Sequence, residues 1–211
     1  MSKIEYLIFI GFATLITISA CTNKEKQVDK KLPILGRHDY QKNDTVYHKI
    51  ADYKFVNQDS NWVTPETFED KIYVADFFFT SCPSICPIMK KQMLRVYDSF
   101  QNTDEVMILS HTIDPKHDTV ALLKKYKEDL GVTGDQWHFV TGDKQDIYKL
   151  GQTSYYVTVR EDGNAPGGVM HSGAFILVDK HRRVRGVYDG TKPEEVDALI
   201  EDINILLKEE L

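Results

Sequence analysis

The sequence predicts an α/β fold: a central mixed sheet, helices on both of its faces, and a β-hairpin ahead of it. Three observations predict this. From Ile50 onward, short apolar runs alternate with segments of helical periodicity, and such alternation builds a sheet with helices packed on it. Residues 72–79 form a near-continuous apolar run, as expected of a strand buried on both faces. Finally, two apolar runs flank Asp179-Lys180-His181-Arg182, and a long amphipathic segment closes the chain.

Each element has a local cause. Tyr53-Lys54-Phe55-Val56 and Trp62-Val63 flank a polar turn and read as the N-terminal hairpin. The buried strand 72–79 follows. Residues 87–100 read as a helix, 105–110 as a strand, and 119–130 as a helix capped by Asp118 and stopped by Gly131. Residues 137–140 read as a strand, and Asp143 caps a short helix running through Leu150. Residues 155–159 read as a strand before the turn-rich stretch 161–168. Residues 173–178 and 184–188 form the second hairpin. Pro193 opens the last helix at its favoured first position. Val196, Leu199, Ile200, Ile203, Leu206 and Leu207 share one face of it. A β-α-β unit followed by β-β-α is a thioredoxin-like layout, and the N-terminal hairpin elaborates it. In such sheets the site lies beyond the carboxyl end of the first central strand.

The N-terminus divides the chain into residues 1–20, 21–49 and 50–211. Residues 6–20 carry no charge. That is short of the about 20 residues a membrane span needs and suits a signal-peptide core. The run ends in Ile18-Ser19-Ala20-Cys21, and polar residues follow at once. This resembles a bacterial lipoprotein cleavage site, and the resemblance implies that Cys21 becomes a lipidated first residue. The competing reading is an uncleaved anchor helix with an incidental cysteine. On the lipoprotein reading the protein is held at a bacterial membrane and faces the periplasm or cell exterior. Residues 21–49 are polar and charge-rich and read as a tether, with Leu32-Pro33-Ile34-Leu35-Gly36 as a patch able to dock on the domain of residues 50–211. The net charge of −6 argues against a nucleic-acid partner.

With Cys21 given to lipid, Cys82 and Cys86 remain of the three cysteines. They lie in Thr80-Ser81-Cys82-Pro83-Ser84-Ile85-Cys86-Pro87, where the buried strand hands over to a helix. Proline lacks an N–H and clashes inside a helix, so Pro87 belongs at the first helical position and Cys86 at or beside the cap. A helix N-terminus favours thiolate, here at Cys86. A sharp bend brings both sulfurs to one point, where they serve as a redox couple or grip a soft metal. A purely structural disulfide closing so small a loop constrains little of the unfolded chain.

Two thiolates leave a metal undercoordinated, and the chain has seven histidines. His171 precedes the strand at 174–178, on the approach where thioredoxin-type oxidoreductases carry a proline. A histidine there favours metal binding over disulfide exchange. His111, at the end of the strand 105–110, competes for the role. Met89 and Met93 sit at helical spacing and read as core.

These segments resemble the Sco/SenC family of copper chaperones. The resemblance runs from about Phe55 to the C-terminus. It is carried by Cys82-Pro-Ser-Ile-Cys86-Pro, by Ile113-Asp114-Pro115-Lys116-His117-Asp118-Thr119, by Trp137-His138-Phe139-Val140-Thr141-Gly142, and by His171-Ser172 ahead of an aliphatic strand. It implies a thioredoxin fold on the outer face of a membrane and a copper ion bound by Cys82, Cys86 and His171. It also implies a copper-accepting subunit of cytochrome c oxidase, or a related copper protein, as partner. Members often carry Asp directly before the histidine. Here Met170 stands there, which alters the surroundings of the imidazole and offers a further sulfur. Asp114-Pro115 reads as a turn and Asp118 as a cap, or the two as an acidic pair for partner docking.

The rival function is a thiol–disulfide oxidoreductase, which needs Cys82 and Cys86 as a redox pair but not His171. A peroxidase usually needs an arginine near its thiolate, and none occurs between Ile72 and Arg95. A redox or copper sensor is the remaining class.

Overall fold

The computed structural model describes residues 31–41, 44–163 and 169–209. The signal segment, Cys21, the loop 164–168 and the side chain of Met170 lie outside the described residues. No described helix is long and apolar enough to cross a membrane.

From Lys31 onward the chain forms one compact unit. In order it comprises β1 (His38–Gln41), β2 (Asp44–Tyr47), β3 (Phe55–Asn57), β4 (Trp62–Val63), β5 (Ile72–Phe78), α1 (Cys86–Phe100), β6 (Val106–Thr112), α2 (Val120–Asp129), β7 (Trp137–Thr141), α3 (Lys144–Thr153), β8 (Val159–Glu161), β9 (Val169–His171), β10 (Ala174–Val178), β11 (Val184–Asp189) and α4 (Pro193–Glu209). Seven strands make the main sheet in the order β11-β10-β5-β6-β7-β3-β4. β5, β6 and β7 run parallel and the outer pairings are antiparallel, so the sheet is mixed.

Every residue of β5 is buried, as its apolar run requires. The register Asp76↔Ser110, Phe77↔His111 and Phe78↔Thr112 assigns the two faces. Phe78 stacks on Tyr126 of α2 and lies beneath Lys90 of α1. Arg95 of α1 pairs with Asp197, which brings α4 to the same side. Phe77 faces the other way, against α3. A Cβ added at Gly151 of α3 would lie 3.1 Å from the Phe77 ring, so this helix approaches the sheet through a residue without a side chain. Helices therefore cover both faces, as the alternation predicts.

Four features differ from the sequence reading. Asp118 does not cap α2. Thr119 does, its hydroxyl accepting from Leu122 N, and Asp118 is buried and engaged elsewhere. Residues 155–157 alternate like a strand but join no strand ladder. Tyr155 N and Val157 N bond instead to Leu150 and Gly151 carbonyls at the end of α3, and Tyr156 has a φ of 56°. Pairing begins at Val159, where β8 joins β9 in a ribbon not legible in the sequence. β1 and β2 form a second ribbon. The Leu32-to-Gly36 patch docks: Leu32 is buried, and Leu35 N bonds to Val184 O at 2.8 Å.

Candidate metal centre

The site lies where β5 ends. Cys82 N bonds back to Phe79 O at 3.2 Å, which turns the chain immediately after the strand. Ile85 then occupies the cap of α1 and makes no side-chain capping bond. Cys86 is the first helical residue and Pro87 the second, one position later than the sequence reading placed it. The missing proline N–H costs nothing there, because first-turn N–H groups have no intrahelical partner. His171 arrives from the other side at the end of β9. Val159↔His171 pairing and the bond from Ser172 N to Thr158 O (2.9 Å) hold it there. Gly173 follows, and a Cβ at that position would lie 3.7 Å from the Ile85 side chain, so the two loops meet across the mouth.

Both cysteines are free thiols and buried. Their sulfurs and an imidazole nitrogen of His171 all lie within 4.8 Å of one another. Among the described residues this is the only such cluster of three His, Cys, Asp or Glu side chains. Cys86 Sγ is 3.4 Å from His171 Nε2. His171 Nδ1 lies 3.2 Å from Ser172 O. A carbonyl only accepts, so Nδ1 carries the proton and Nε2 presents its lone pair to the sulfurs. Phe79 packs edge-on against the imidazole at 5.9 Å.

The two thiols differ. Burial works to raise the Cys82 thiol, but hydrogen bonds from Cys86 and from the loop backbone outweigh it, and its pKa is lowered. Burial pushes the Cys86 thiol well up, and the neighbouring Cys82 adds to the rise. Of the two, Cys82 is therefore the more acidic thiol. The sequence reading placed the thiolate at Cys86 on the strength of the helix N-terminus; depth of burial reverses that. Burial also lowers the pKa of His171, which favours the neutral, ligating form.

His111 does not join the cluster. It is fully buried, stacks on Phe77 at 4.7 Å and holds Nδ1 3.3 Å from Asp76 O. Met89 and Met93 are core, as their spacing predicts. Beneath the cysteines lie two ionisable groups that sequence reasoning passed over. Asp76 accepts from Ser110 Oγ at 2.5 Å, and Ser110 accepts from Trp137 Nε1 at 2.9 Å. Lys90 sits one turn after Cys86, its Nζ 3.4 Å from the centre of the Tyr126 ring. Burial raises the Asp76 pKa and lowers that of Lys90. The signal was present: Asp76 is the one charge in the apolar run 72–79.

The SCO1/SenC family model matches residues 41–208. A SCO1/SenC family lipoprotein from Bacillus anthracis is 26% identical, with a TM-score of 0.70 over 76% of this chain and 95% of that one. BsSco, a member of the Sco family of cytochrome c oxidase assembly proteins with a disulfide switch, is 29% identical, with a TM-score of 0.66 over 74% and 92%. Copper-bound ScoI of Bradyrhizobium japonicum shares the fold at a TM-score of 0.60 and 24% identity, over 72% and 97%. Family match, shared fold and the converging Cys-Cys-His geometry agree, and the chain belongs to the SCO1/SenC family.

Proposed function

We propose that this protein is a copper metallochaperone, anchored at a bacterial membrane and facing the periplasm or cell exterior. Copper is its cargo, bound by Cys82, Cys86 and His171, and a copper-accepting subunit of cytochrome c oxidase, or a related copper protein, receives it. The observation that carries this reading is the convergence of two sulfurs and an imidazole nitrogen within 4.8 Å. Thiolates and imidazole together suit copper and exclude hard cations, which prefer oxygen. Three protein ligands leave copper open to a ligand from the partner. A partner thiolate adds, the copper passes across, and the departing Cys86 takes up a proton, which its raised pKa favours.

The test is copper titration of the reduced protein in detergent micelles, wild type against His171→Ala. One tightly held copper per chain is expected. In His171→Ala the affinity falls by more than the roughly 10- to 100-fold that loss of an outer hydrogen-bond partner costs. Binding indifferent to His171 would sink the reading.

A second reading is a thiol–disulfide oxidoreductase. Two free cysteines side by side, with the Cys82 pKa lowered, favour it. Disulfide reductase activity retained by His171→Ala identifies that role. Lipid attachment at Cys21 is supported by the residues around it and by a lipoprotein among the structural relatives. Cys21→Ser releasing the protein from membranes tests it.

A further inference from the structure

The loop that carries the two cysteines is poorly held by packing. Ser81, Pro83 and Ser84 are exposed, while the sulfurs point inward. Its base is held by a residue remote in sequence. Asp118, fully buried in the loop between β6 and α2, uses both carboxylate oxygens. Oδ2 accepts from Thr80 N at 3.1 Å and from Thr112 Oγ1 at 2.5 Å. Oδ1 accepts from Thr80 Oγ1 at 2.5 Å and from His117 Nδ1 at 2.9 Å. Thr80 stands two residues before Cys82, and Thr112 is the last residue of β6. Four donors compensate a carboxylate whose burial is otherwise costly. Capping α2 is not its task, because Thr119 does that.

Resting on the copper reading of Cys82, Cys86 and His171, we propose that Asp118 is a positioning residue for the metal centre: through Thr80 it pins the base of the cysteine loop, so that both sulfurs meet His171 at ligating distance. Asp118 touches no ligand. It acts by removing the freedom of the loop, so copper binding does not have to supply that ordering. His117 closes the network on its solvent side.

The test is Cu(I) binding by competition with a chromophoric chelator, together with the thiolate-to-Cu(II) absorption band, on the reduced full chain in micelles. The variants are Asp118→Asn, Thr80→Val, Thr80→Ser, His171→Ala and Asp179→Asn. Asp179 is an equally buried carboxylate paired with Arg183 and Arg185 at the other end of the sheet, and serves as the control for lost stability alone. In Asp118→Asn the affinity falls about 10- to 100-fold and the band shifts. Thr80→Val moves both readouts the same way, Thr80→Ser restores them, and Asp179→Asn leaves them unchanged. Should Asp118→Asn fail to fold, the Thr80 pair decides. If Asp118→Asn and Thr80→Val bind like wild type while His171→Ala does not, the positioning role is overturned and the copper site stands. If wild type binds no copper, or His171→Ala binds equally, the copper reading fails and this role fails with it.

Discussion

His111 and His171 have the same side chain, and placement alone separates them. His171 ends a short ribbon at the mouth of the site; His111 is enclosed by Phe77, Tyr53, Phe55 and Tyr155. Burial depresses its pKa to about 4, and one ring nitrogen, Nε2, has no partner. The unfolded chain takes up a proton near pH 6.5, while the folded chain resists until about pH 4. The unfolded state therefore binds more protons in that window, and stability falls as pH drops through it. His111 should account for roughly 3 kcal/mol of acid destabilisation between these limits. Urea unfolding of His111→Phe from pH 7 to pH 4 should show a visibly flatter acid limb. An unchanged limb would mean that another group dominates. At this scale Cys82, Cys86 and His171 were legible from residue type and motif. The order of the two thiol pKa values was not, because it depends on depth of burial, and periodicity does not report depth.

Helix ends were legible in kind and wrong by a residue where two candidates stood side by side. Asp118 and Thr119 both suit a cap. Thr119 wins because its backbone is extended while Asp118 is drawn inward by Thr80 and Thr112. Thr119→Ala should cost about 1 kcal/mol in denaturant unfolding and leave copper affinity unchanged. If copper binding falls with it, cap and cysteine loop are coupled more tightly than their separate bonds imply. Gly131 is the stop that the sequence predicts, with a φ of +71° and open space around it. Gly131→Ala should therefore lose about 1 kcal/mol through backbone conformation alone, and Gly131→Asn less. The strands that went unread are β1, β2, β8 and β9. Each is short and pairs outside the main sheet, so none carries the apolar alternation that a buried face imposes.

Across the whole molecule, the sheet separates two ends with different duties. β10 leaves the site at Ala174 and reaches Asp179 at the far end, and β11 returns from Val184 to Asp189 beside the mouth. The N-terminal segment docks at the far end. There Arg185, almost completely buried, donates to Leu32 O at 2.7 Å and Pro33 O at 3.0 Å. It also pairs with Asp179 at 3.2 Å and with Glu209 of α4 at 2.6 Å, and Glu209 in turn accepts from Leu32 N. One guanidinium thus joins the first described residues, the second hairpin and the last helix, with two carboxylates as counter-charges. Removing it leaves Asp179 and Glu209 short of a partner and frees the segment. A broken buried pair costs about 3 to 5 kcal/mol, so Arg185→Ala should lower the denaturation midpoint by a matching amount. Loss of protection at the Leu35 amide, measured by hydrogen exchange, should accompany it. Copper affinity of the folded variant should match wild type, because the clamp and the cysteine loop lie at opposite ends of β10. Copper loss in Arg185→Ala would instead show that tension in the N-terminal segment reaches the site through β10, and would make that attachment part of how cargo is held.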